Sequence, residues 1–226
     1  MPLSGTTSFN PDVGDIVEEA YERCGLEARN GYDLRTARRS LDLLAMEFAN
    51  RGLNLWTIDS QTLPLVQGTA TYTLPADTID VMDAVIRTNA GNQQLQADIV
   101  ISRISFTTYS QQPAKLTQGF PIQYWVNRVL TPTVTFWQVP DGTQPYQFVY
   151  FRMRRMQDVG TSISNNEDVP FRFIPAIVAG LAYMIAVKKA PDRIDMLKGQ
   201  FEEQFNMAAD EDRERATFRW VPRIGG

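Results

Sequence analysis

The chain has 226 residues, 43% hydrophobic and 21% charged, with a net charge of −4; this excludes wholesale disorder and gives no general pull toward nucleic acid or anionic membranes. With one cysteine and no histidine, it has no intrachain disulfide, no Ser-His-Asp or Cys-His arrangement and none of the commonest zinc ligand. A reducing site of synthesis, the cytoplasm, fits that cysteine usage.

The first ten residues read as an arm, with neither the basic nor the apolar segment of a secretory signal. Pro11 is expected to open a helix capped by Asn10, with Val13, Ile16, Val17, Ala20, Tyr21 and Cys24 as its apolar stripe and Gly25 as its end. Cys24, with no histidine or second cysteine beside it, reads as a small buried hydrophobe. A second helix from Tyr32 or Asp33 to Gly52 buries Leu34, Ala37, Leu41, Leu44, Ala45 and Phe48. Arg35, Arg38 and Arg39 lie off that stripe.

From Leu53 the period changes from 3.6 to 2. Strands are predicted from Trp56 to Gln61, at 69–74 and at 79–88, with turns at Gln67-Gly68 and 89–92. Residues 102–109 read as a short helix capped by Ser102. Three further strands, 123–128, 133–139 and 146–153, are separated by turns at 130–132 and 140–145. A polar loop spans 159–167. Residues 171–187 are apolar nearly all round a helix, which describes a helix buried on most sides. That stretch falls short of the run of about 18 apolar residues that offers a membrane span, so no membrane contact is expected. Pro170 suits its first turn, Pro175 falls early enough to be tolerated, and Lys188 and Lys189 suit its C-terminus. Pro191 and Asp192 restart a helix with Ile194, Leu197, Phe201, Phe205 and Ala208 on one face. Glu202, Glu203, Asp210 and Glu211 lie on the other face, and both that face and the charged run 210–215 are expected to be solvated. Residues 216–226 read as an extended tail.

The predicted fold is α+β: a four-helix bundle from both chain ends, a β-rich insertion of sandwich or barrel type, and the extended C-terminal tail. The expected parts are 1–52 (arm and helical pair), 53–158 (β-rich insertion), 159–215 (helical hairpin completing the bundle) and 216–226 (tail).

Asp77, Asp80 and Asp83 recur at a spacing of three but lack the glycine and terminal glutamate of a calcium loop, so no metal is expected there. Arg152, Arg154 and Arg155 end a strand region interleaved with Tyr124, Trp125, Phe136, Trp137, Phe148 and Tyr150. Such a mixture resembles a stacking platform for single-stranded nucleic acid, yet the same aromatics alternate as sheet-core residues do and the chain is acidic. Subunit-interface arginines are the better reading for Arg35, Arg38, Arg39, Arg152, Arg154 and Arg155. There is no Gly-rich phosphate loop, nucleophile elbow or C-x-x-C. No catalytic residue, cofactor or metal is therefore expected. In the tail, Phe218, Arg219, Trp220, Val221, Arg223 and Ile224 form a surface too short to fold alone, either an anchor for a partner or a segment tucked against its own domain.

Three stretches resemble the head-to-tail adaptor proteins of short-tailed bacteriophages, the group of tail tubular protein A and the tail accessory factor below the portal. They are the N-terminal pair, with Tyr-Glu-Arg-Cys-Gly-Leu ending at Leu26, Ala-Arg-Arg-Ser-Leu-Asp-Leu-Leu-Ala-Met-Glu-Phe ending at Phe48 and Arg51-Gly-Leu-Asn-Leu-Trp56; the middle, with Ser102-Arg-Ile-Ser, Gly119-Phe-Pro-Ile-Gln-Tyr-Trp125 and Thr133-Val-Thr-Phe-Trp-Gln-Val-Pro-Asp141; and the helices of 170–215. The resemblance implies a non-enzymatic structural protein of the virion neck, forming a ring of about twelve copies by heterologous contacts. Its implied partners are the portal protein, contacted by the C-terminal tail, and the tail nozzle protein, with a tail fibre or tailspike as a further candidate. DNA is implied to pass through the lumen without sequence-specific binding. A carbohydrate-binding or peptidoglycan-degrading tail module is the alternative, resting on the aromatic strands and on Asp59, Asp77 and Asp141.

Overall fold

A computed structural model describes residues 9–29, 31–52, 55–162 and 164–213. Two helices come first, α1 (Val13–Arg23) and α2 (Gly31–Arg51). Then follow β1 (Ile58–Leu65), β2 (Thr71–Thr73), β3 (Thr78–Thr88), β4 (Ala97–Val100), β5 (Ser102–Arg103) and the short helix α3 (Phe106–Ser110). After it come β6 (Gln118–Gly119), β7 (Gln123–Asn127), β8 (Thr133–Trp137), β9 (Val139–Pro140) and β10 (Tyr146–Arg154). Helices α4 (Ile174–Lys189) and α5 (Ile194–Glu211) complete the described elements. The fold is α+β, and it divides into two compact units: Thr57–Arg155, and the residues on either side of that segment.

In the helical unit α4 is central, with α1, α2 and α5 packed around it. Ala176, Ile177, Ala179, Leu181, Ala182, Ile185 and Ala186 are each at most 2% exposed, so the all-round apolarity of this helix is used on three neighbours. The stretch Phe171–Lys189 is in fact long and apolar enough to cross a membrane by composition, against the sequence expectation; here that apolarity lines a protein core. Close approach depends on Gly180, where a Cβ would stand 2.8 Å from Leu44 Cδ1 and 2.9 Å from Phe201 Cε2. Phe48, Phe173, Phe201 and Phe205 form an aromatic cluster, with Phe48 and Phe205 edge to face at 5.0 Å.

Polar groups lock the helix ends. Arg51 at the end of α2 pairs with Glu47 (2.6 Å) and with Glu202 of α5 (2.7 Å), and lies over the Phe201 ring at 4.5 Å. Glu202 is therefore not merely part of a solvated face. Lys189 at the end of α4 pairs with Asp33 at the start of α2, a cross-helix role beyond the expected interaction with the helix dipole. Asp212, in the charged run expected to be solvated, is only 6% exposed; it accepts from Arg172 and from the Leu55 amide (3.0 Å).

Helix starts differ from expectation by a few residues. Asp12, not Asn10, caps α1: its carboxylate accepts from the Asp15 amide at 2.9 Å, and the Asp15 carboxylate accepts from the Asp12 amide at 3.3 Å, a reciprocal capping box. Ser105, not Ser102, caps α3, accepting from the Thr108 amide at 3.1 Å. Ser102 is instead drawn into β5, paired parallel with β7. Pro170 precedes a 3-10 turn, Phe171–Phe173, and Pro175 takes the first turn of α4.

In the β unit one four-stranded sheet runs β1-β10-β3-β4 and a second runs β2-β8-β7-β5, with β6 and β9 paired apart. The two sheets share a core: Val81, Ala84 and Ile86 of β3 and Tyr146, Phe148 and Tyr150 of β10 meet Tyr124 and Val126 of β7 and Val134 and Phe136 of β8. In β10, β7 and β8 this is the period-2 inward row, as a sandwich requires; in β3 the inward row steps three residues from Val81 to Ala84, where the register with β10 shifts. Edge-to-face rings pin it, Phe136 to Phe148 at 5.0 Å and Tyr124 to Phe148 at 5.5 Å. Pro64 is tolerated because β1 is an edge strand.

Candidate functional site

Asp77, Asp80 and Asp83 do not converge. Asp77 pairs with Arg152, Asp80 with Arg103 (2.7 Å) and Arg128 (3.6 Å), and Asp83 accepts from the Ala84 amide. Among the described residues no group of three His, Cys, Asp or Glu side chains could hold a metal ion. Cys24 is 3% exposed and its thiol donates to the Ala182 carbonyl (3.2 Å); burial pushes its pKa up, away from the thiolate that reactivity needs.

The carboxylates considered for glycan chemistry also have structural partners. Asp59 and Asp77 both grip Arg152, and hydrogen bonds from that guanidinium lower the Asp77 pKa. Asp141 closes the turn before β10, accepting from the Thr143 amide (3.0 Å) and the Tyr146 hydroxyl (3.1 Å), and the Thr143 amide holds its pKa down. A carboxyl whose pKa is held down, as for Asp77 and Asp141, is a poor proton donor for glycoside hydrolysis.

The aromatic set separates onto two faces. Tyr124, Phe136, Phe148 and Tyr150 are at most 3% exposed in the sandwich core. Trp125 lies on the other face, stacked on Tyr109 at 5.4 Å and beside Phe106 at 5.6 Å. Trp137 donates to the Ala114 carbonyl at 3.2 Å. These rings build the unit's own packing rather than a row of free stacking surfaces.

The six arginines expected at an interface also divide. Arg152 is a correction: it continues the inward row of β10 and is 5% exposed. Its Nε donates to Asp59, directly across on β1, at 2.8 Å; its Nη1 donates to Asp77 at 2.5 Å and to Thr78 Oγ1 at 2.8 Å. A guanidinium so enclosed is an internal tie and is not available to a neighbouring subunit. Arg154 is half-buried and donates to the Arg155 carbonyl (3.1 Å), whereas Arg155 is exposed. On α2, Arg38 is half-buried and turns to the Gly160 carbonyl (2.5 Å). Arg35 and Arg39 stay exposed. Phe218, Arg219, Trp220, Val221, Arg223 and Ile224 lie outside the described residues.

Sequence reasoning picked out Arg35 and Arg39 on α2 but missed the apolar residues beside them, and it missed the acidic face of α1 altogether. On α2 the exposed row runs Tyr32 (62%), Arg35, Arg39, Leu43 (52%) and Met46 (56%). On α1 the face away from the core is entirely acidic: Asp15, Glu18, Glu19 and Glu22 are all exposed. A groove of about 540 Å³ runs beside α1, rimmed by Asp12, Asp15, Glu18, Glu22 and Glu27. Its apolar floor includes Val17, Leu26 and Leu34. The signal was present as Glu18 and Glu22, and Arg35 and Arg39, each pair one helical turn apart.

A sequence model for the family described as SU10 adaptor protein matches residues 11–223, which takes in both units. Among curated proteins, none matches the chain.

Proposed function

The chain belongs to the SU10 adaptor protein family, and on that premise we propose that it is a structural protein of the phage virion, a ring-forming adaptor at the neck that joins the portal vertex to the tail nozzle. The observation that carries this reading is a family match running through both units rather than over one of them. The chemistry of the site agrees with it. The carboxylates and the thiol that could suggest catalysis are engaged in caps, turns and internal ion pairs.

In this reading about twelve copies close into a ring through heterologous contacts, with the DNA exit channel continued through the lumen and no sequence-specific contact to DNA. The four helices act as one bundle, made by 1–52 and 159–215, that carries 53–158 as an insertion. Arg35, Arg38, Arg39, Arg154 and Arg155 remain the basic groups proposed for subunit contacts. Residues 216–226 act as the portal-binding arm through Phe218, Arg219, Trp220, Val221, Arg223 and Ile224. Tail fibres or a tailspike are further partners. The subunit is made in the host cytoplasm and joins the particle after DNA packaging.

The test is assembly with the cognate portal protein, followed by native mass spectrometry and electron microscopy. Several copies seated on one portal ring are expected. A protein that stays monomeric in the presence of portal and is missing from virions would overturn the reading.

A further inference from the structure

Helices α1 and α2 each turn one face away from the shared core, and the two faces carry opposite charge. On α1 the outward residues are Asp15, Glu18, Glu19 and Glu22. Asp15 is engaged in the capping box and Glu19 pairs with Arg23 at 2.9 Å. Glu18 and Glu22 are left as two carboxylates one turn apart. On α2 the outward row Tyr32, Arg35, Arg39, Leu43 and Met46 follows spacings of three and four and contains no carboxylate. Among the described residues Arg35 and Arg39 have no ion-pair partner, and they too stand one turn apart. Like charges at that spacing repel within their own helix. Each pair is therefore unfavourable in the lone subunit and is relieved by the opposite charge presented at the same pitch.

We propose that the outer row of α2 in one copy seats on the outer face of α1 in a second copy, with Arg35 and Arg39 facing Glu18 and Glu22. Leu43 and Met46, both more than half exposed, supply the apolar part of the contact. The occupant is a second copy because the same chain presents the complementary face at the matching spacing. The groove beside α1, with an acidic rim and an apolar floor, offers room for a long basic or aromatic side chain such as Arg35 or Tyr32. The contact joins two different faces, so it is head-to-tail, the kind that repeats around a ring. This inference rests on the ring reading and gives it a named interface.

The experiment uses the full chain with cognate portal rings and counts copies per portal by native mass spectrometry. Three variants are compared with the wild type: Arg35→Glu with Arg39→Glu, Glu18→Arg with Glu22→Arg, and all four together. Each single-face reversal is expected to weaken association between neighbouring copies at least about tenfold. The four-fold variant is expected to recover to within about threefold of the wild type, because the pairing is restored with its signs exchanged. Far-UV circular dichroism checks that each variant folds. Where a reversal does not fold, Arg35→Gln with Arg39→Gln and Glu18→Gln with Glu22→Gln take its place, with loss of association again expected. Wild-type rings that both single-face variants match would overturn this interface and leave the ring reading standing. A closed two-fold dimer built on these faces would also overturn it. Wild-type protein that never assembles on portal would overturn the ring reading, and this inference with it.

Discussion

Arg152 has left water on the inner row of a strand, and all three of its guanidinium nitrogens donate to Asp59, Asp77 or Thr78. Removing a buried guanidinium from such a set strands carboxylates that were held by it, although Asp59 and Asp77 are partly solvated and soften the loss. Arg152→Ala should lower unfolding stability in urea by about 2 kcal/mol. Arg152→Lys should recover little of it, since an ammonium cannot reproduce the fork. Wild-type stability in Arg152→Ala would show that the tie is dispensable. The alternation Tyr146, Phe148, Tyr150 already pointed Arg152 inward in the sequence; the cluster of three arginines drew attention outward instead. Its partners were not legible, because they come from β1, from Asp77 just before β3 and from Thr78 at its start, brought close only by strand pairing.

Glu167 is the second telling residue. Burial, with Asp42 and Asp168 nearby, pushes its pKa up to about 7, and its Oε1 is enclosed without a hydrogen-bond partner. A carboxyl with a folded pKa above its unfolded value binds the extra proton in the folded state, so stability falls as pH rises from about 4.5 to about 7 and stays lower beyond. Glu167→Gln should remove that dependence and stabilise the protein at pH 8 by on the order of 2 kcal/mol. Thermal melts at pH 5 and pH 8 test it. A mutant that retains the wild-type difference between those pH values would contradict the assignment.

At the scale of elements, the helices and long strands were readable because their periods are long and regular. The stripe of α1, the all-round apolarity of α4 and the alternation of β8 and β10 each need no partner to be recognised. The caps were less readable: Asn10 and Asp12, or Ser102 and Ser105, are equally good capping residues, and the choice follows from which amides the tertiary fold leaves unpaired. Gly180 was invisible as a packing residue, since a glycine inside a helix pattern counts only as a weak former. Its place between Leu44 and Phe201 predicts that Gly180→Val overfills the crossing and costs about 1–3 kcal/mol. Chemical denaturation monitored by far-UV circular dichroism reads this directly. An unchanged midpoint would mean that α4 does not approach its neighbours this closely.

At the scale of the whole molecule, the surfaces proposed for assembly were the least legible. Helical and strand periods locate a core, but a face that awaits a second chain looks like any solvated surface until exposures and internal pairings are known. Arg38 and Arg39 are adjacent in sequence, yet only Arg39 remains exposed. In the adaptor reading the arm 216–226 contributes to docking and not to folding. Deleting it should leave the thermal midpoint nearly unchanged and abolish assembly on portal rings. A large loss of stability would instead mean that the tail packs in cis.

The central claim is that this chain is a ring-forming adaptor between portal and tail, and imaging it with its cognate portal by cryo-electron microscopy tests that most directly. The account predicts a closed ring of subunits seated on the portal, with an open channel through its axis. Portal particles that remain bare at saturating adaptor, beside a monomeric chain, would contradict it.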